Sequence, residues 1–96
     1  MRLLAIEQDE QRQALIRHHA SCRWPGVEVI PYRPVERGPV PPEFLAQGYD
    51  AVLLADAWAG GDGLEWLREL AARNGFAPII LLSDVDGQRA REAAAS

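Results

Sequence analysis

Carboxylates stand at the ends of apolar runs in this sequence. Glu7 and Asp9 follow Arg2-Leu-Leu-Ala-Ile6, Asp56 follows Ala51-Val-Leu-Leu-Ala55, and Asp62 comes just before Gly63. Ser83 ends a further run, Pro78-Ile-Ile-Leu-Leu82. Acids gathered at one crevice can hold a hard cation through oxygen, and Glu7, Asp9 and Asp56 are the candidate set for weak metal binding. Each also has a plainer role: Asp9 as a helix cap, Glu7 and Asp56 as solvated loop acids, Asp62 as the turn residue before Gly63. Ser83 can serve its own loop or cap the next helix.

The chain has no lysine; all ten basic residues are arginine. This excludes Schiff-base chemistry, a lysine base and the lysine of a nucleotide loop, so Gly60-Gly-Asp-Gly63 is a weak phosphate cradle. His18 and His19 are adjacent, hence about 100° apart on a helix, and cannot chelate one metal together; one is expected half-buried and the other solvated. Cys22 is the single cysteine, so an internal disulfide is excluded; it reads as a small core residue in a reducing compartment.

The elements that position these residues follow from the apolar pattern. Ninety-six residues, 48% hydrophobic and 25% charged, suit one globular domain. The net charge of -4, with dispersed acids, gives no footprint for nucleic acid or an anionic membrane. The N-terminal apolar run is too short for a leader or a membrane span, and a cytoplasmic protein is expected.

Continuous apolar runs at Arg2–Ile6, Val27–Ile30, Ala51–Ala55 and Pro78–Leu82 predict strands, most of them buried on both faces. A helix is expected after Asp9, with Ala14, Leu15, His18 and Cys22 inward and Arg12 and Arg17 directed away. Five of the seven prolines fall between Pro31 and Pro42, predicting a stiff loop, with a helical turn at Glu43–Gln47. Leu64, Leu67, Leu70 and Ala71 mark a helix face, and Gln88–Ala95 a last, alanine-rich helix. Strands alternating with helices predict a parallel sheet whose working residues lie at the strand C-termini.

The stretch YDAVLLADAWAGGDGLEWLREL from Tyr49 to Leu70, with Pro78-Ile-Ile-Leu-Leu-Ser83, resembles the third and fourth βα units of response-regulator receiver domains. The resemblance covers nearly the whole chain and implies a flavodoxin-like α/β fold, strand order 2-1-3-4, helices on both faces and the fifth strand missing. It implies a module that takes a phosphoryl group from a histidine kinase with Mg²⁺. Counted back from Asp62-Gly63, the family's phosphoacceptor falls on Ala55, which cannot be phosphorylated. Gln8 replaces the second acid of the N-terminal pair, and the family's lysine has no counterpart; Ser83 matches the switch hydroxyl.

The resemblance therefore implies a degenerate receiver, not an enzyme, spanning residues 1–96 as the N-terminal part of a longer signalling protein. It would act through protein contacts, on an output domain in the same chain or a partner signalling protein, or as a homodimer. Trp66, Ser83 and Asp84 are the expected contact surface, Trp66 alternatively covering the degenerate site. Two other readings stay open. Asp56 could substitute as phosphoacceptor, although strand alternation points it away from the side of Ala55. A small ligand could bind at the strand ends, with Arg33 and Arg37 as donors.

Overall fold

The structure, a computed structural model, describes residues 1–58 and 61–82. The expected helix at Gln88–Ala95, and Ser83 and Asp84 with it, lie outside the described residues.

Four parallel strands make the main sheet: β1 (Arg2–Ile6), β2 (Glu28–Tyr32), β3 (Ala51–Ala55) and β6 (Ile79–Leu82), in the order β2-β1-β3-β6. This is the expected 2-1-3-4 order, since β4 (Ala57–Trp58) and β5 (Gly61–Asp62) form a separate antiparallel hairpin. Leu4 pairs with Val52 and Val52 with Ile79, so the apolar runs lie side by side.

Because side chains alternate along a strand, these runs feed two faces. Leu4, Ile6, Val52 and Leu54 pack with Leu70 of α3 (Gly63–Ala71) and with Val40 and Ala46. Leu3 and Leu53 pack on the other face with Ala20 of α1 (Glu10–Arg23). Ile6, Leu54, Leu70 and Val52 are the largest fully buried side chains, each worth about 1.5–3 kcal/mol on burial.

Helix α1 departs from expectation in the face it buries. Asp9 caps it as read, Oδ2 accepting from the Arg12 amide at 2.9 Å. Its buried residues are Gln13 and Ala20, however, while Ala14, Leu15, His18 and Cys22 are exposed, as is His19. The cause is hydrogen bonding: Gln13 Nε2 donates to the carbonyls of Ala5 and Glu7, both at 2.9 Å, so a polar side chain at the inner position satisfies the end of β1.

The proline-rich segment is more regular than expected. β2 runs through Pro31 and Tyr32, which is tolerated because β2 is an outer strand. Pro34 then opens a four-residue helix, α2 (Pro34–Arg37). The helical turn expected at Glu43–Gln47 does not form an α-helix; the Arg73 guanidinium holds this loop by donating to the carbonyls of Pro41 and Phe44, both at 2.8 Å. Among the described residues no helix is long and apolar enough to cross a membrane.

Candidate functional site

The C-terminal ends of β1 and β3 bring Glu7, Ala55 and Asp56 to one crevice, with Arg12 over it from the first turn of α1. All three crevice residues are buried: Glu7 is 3% exposed, Ala55 4% and Asp56 6%. Strand β3 ends at Ala55, and beyond it Asp56 lines the same groove as Ala55. Its backbone stays tied down, the amide donating to Leu82 O and the carbonyl accepting from Gly63 N, both at 2.9 Å.

Glu7 is held on two sides. One carboxylate oxygen accepts from the Gln8 amide at 2.8 Å, and the other lies 3.6 Å from the Arg12 guanidinium. Arg12 thus folds back over the crevice instead of pointing away. Burial nevertheless pushes the Glu7 carboxyl above its ordinary value of 4.5; the amides of Asp9 and Gln8 and the charge of Arg12 oppose that shift without cancelling it.

The folded state therefore binds a proton at Glu7 more readily than the unfolded chain does. Above 4.5, stability falls as pH rises until the raised folded value is passed. Glu7→Gln keeps an acceptor for the Gln8 amide and is expected to flatten that slope. Urea midpoints of both proteins from about pH 5 to about pH 7 measure it.

The residues do not fit a bound dication. Among the described residues no three His, Cys, Asp or Glu side chains gather as a metal site. The expected set of Glu7, Asp9 and Asp56 fails at Asp9, an exposed cap turned onto its own helix. Arg12 already supplies positive charge to Glu7. Gln8 faces α2: its side-chain oxygen accepts from the Val35 amide at 2.8 Å, and its carbonyl accepts from Arg33 Nε at 3.0 Å.

Arg33, expected as an anion donor, is committed to that carbonyl and to Glu36 at 3.1 Å. The arginine at the crevice is Arg12, which was expected to point away and instead reaches Glu7 from the start of α1. Asp62 caps α3, Oδ1 accepting from the Leu64 amide at 2.9 Å. Trp66 is half-buried, edge-on to Trp58 at 5.3 Å and to Tyr32 at 6.3 Å between ring centroids. It ties α3 to the hairpin and to β2.

Neither a family model nor a curated protein matches the sequence. Solved structures do. An aspartate-to-alanine mutant of the response regulator MaeR bound to sulfate matches with TM-score 0.69 and 18% identity, over 98% of this chain and 75% of that one. The response regulator TrrA, solved in complex with the histidine kinase ThkA, is in a structure that matches at 0.67 and 23%, over 96% and 78%. The signal receiver domain of a DNA-binding response regulator from Colwellia psychrerythraea 34H matches at 0.66 and 18%, over 97% and 79%. The chain has the flavodoxin-like fold of response-regulator receiver domains.

Proposed function

We propose that this domain is a receiver-type module of two-component signalling that works through protein–protein contacts without being phosphorylated. The observation that carries this reading is Ala55. It sits buried at the end of β3, where the spacing to Asp62-Gly63 puts the family's acceptor, and offers a methyl group where phosphoryl transfer needs a carboxylate. Arg12 against Glu7 supports it, since a fixed internal cation displaces the role of a dication. Such a module is no enzyme; it regulates an output domain or a partner signalling protein. That the structure of TrrA holds a histidine kinase supports a partner from the same class of pathway.

Among the described residues Asp56, buried in the same groove, is the one placed to restore phosphoryl acceptance. Trp58, two residues on and stacked edge-on with Trp66, reports on it. Millimolar Mg²⁺ followed by beryllofluoride is expected to leave the tryptophan fluorescence unchanged. A saturable, Mg²⁺-dependent change that Asp56→Asn abolishes would overturn the reading.

A further inference from the structure

Helix α1 carries a second group of chemistry-bearing side chains, on the face it turns away from the sheet. At about 100° per residue, Cys22 stands about 180° around the helix from buried Gln13, and His18 about 160° from buried Ala20. Both are exposed, and neither lines the crevice at the ends of β1 and β3. Their geometry is therefore set by α1 itself and does not depend on what adjoins the outer edge of β6.

Residues at i and i+4 share one helix face, one turn apart, which is how two helical histidines grip a single zinc ion. Here the pair is an imidazole and a thiol, with His18 Nε2 at 3.8 Å from Cys22 Sγ. Tetrahedral zinc, with Zn–N of about 2.0 Å and Zn–S of about 2.3 Å, holds two such atoms about 3.6 Å apart. The observed separation is close to that bite, so the side chains already present both donors to one ion.

The donor set also fixes the class of metal. Imidazole nitrogen and thiolate sulfur suit zinc and its transition-series neighbours, whereas magnesium and calcium require oxygen. His19 is no third ligand: it sits about 100° around the helix, its ring edge-on to that of His18 at 5.5 Å between centroids. Arg23, the nearest cation along the helix after Cys22, lays its guanidinium over the Trp24 ring at 5.8 Å.

We propose that His18 Nε2 and Cys22 Sγ form a two-ligand site for Zn²⁺ on the outer face of α1. His18 binds as the neutral imidazole; Cys22 gives its thiol proton to solvent and binds as the thiolate, whose charge offsets part of the ion's. Water or an external ligand fills the other two tetrahedral positions. This site goes beyond the reading of a contact module and shares no residue with the crevice of Glu7, Ala55 and Asp56.

The test uses the full chain, free of any histidine tag, reduced and in thiol-free buffer, with Co²⁺ as a spectroscopic probe and Zn²⁺ by calorimetry. Co²⁺ should raise a near-ultraviolet thiolate-to-metal charge-transfer band, which Zn²⁺ then removes. Zinc should bind at one ion per chain with a Kd of about 1–200 μM, since half the ligands of a structural zinc site are present. Cys22→Ser should abolish the band, and Cys22→Ser and His18→Ala should each weaken zinc binding at least tenfold. His19→Ala should change neither readout. All three positions are exposed, and circular dichroism checks the fold of each variant.

One ion per two chains, lost in the same two variants, supports the site and assigns its open positions to His18 and Cys22 of a second copy. Absence of the band, zinc binding that survives Cys22→Ser or His18→Ala, or an equal loss in His19→Ala overturns the proposal. Mg²⁺ and beryllofluoride read the crevice separately, so a silent crevice leaves the zinc site standing and the converse holds too.

Discussion

Gly63→Ala is expected to destabilise the domain by about 3 kcal/mol, seen as a lowered urea midpoint with an unchanged slope. A Cβ at Gly63 would stand inside the contact distance of the Ala55 carbonyl oxygen and close to the backbone carbons of Ala55 and Asp56. These are main-chain atoms of β3 and the residue after it, so no side chain can swing aside. The Gly63 amide also donates to Asp56 O at 2.9 Å, and this bond fixes the start of α3 against the end of β3. Moving α3 away to admit a methyl group strips contacts from Leu70 and from the Trp58–Trp66 pair. Gly26→Ala is the control, because Gly26 has φ +86 with open space around it and should cost only the left-handed strain, about 1–2 kcal/mol. A smaller loss at Gly63 than at Gly26 would mean that the two backbones are not in contact.

The sheet was legible because its signal is long and redundant. Leu3 to Ile6 and Val52 to Ala55 are buried without a break, which only a two-sided sheet explains, and alternating helices then limit the strand order to few choices. Asp9 and Asp62 were legible as caps because a short acid before an apolar helix has one dominant use. Helix α1 was not, because its inner position is Gln13, whose value lies in two carbonyls that a hydrophobic pattern cannot register. Cys22 followed from the same error of face. The hairpin of β4 and β5 has two residues a side, too few for any period to show. At the crevice, the identity of Ala55 could be counted from the sequence. That Arg12 turns back onto Glu7 could not, since it depends on how the chain enters α1 at Asp9.

Ala55→Asp puts a carboxylate into the crevice and is expected to cost roughly 3 kcal/mol at neutral pH, for the charge would be desolvated beside buried Glu7 and Asp56. Burial and like charge both raise the new group's proton affinity in the folded state above that of the unfolded chain, near 3.9. Folded protein then carries the extra proton between those two values, so the variant loses stability as pH rises through that window and recovers toward the parent on acidification. Urea titrations of both proteins across that range measure it. Mg²⁺ separates two ways in which the site was lost. If the acceptor alone was lost, millimolar Mg²⁺ restores much of the missing stability, because the ion then meets three acids. The ion pair of Arg12 with Glu7 argues for the other outcome, in which Mg²⁺ helps little until Arg12→Ala is added to Ala55→Asp. A single variant as stable as its parent at neutral pH, and indifferent to pH, would show that position 55 does not share a buried acidic crevice with Glu7. The count from Asp62-Gly63 would then have to be abandoned.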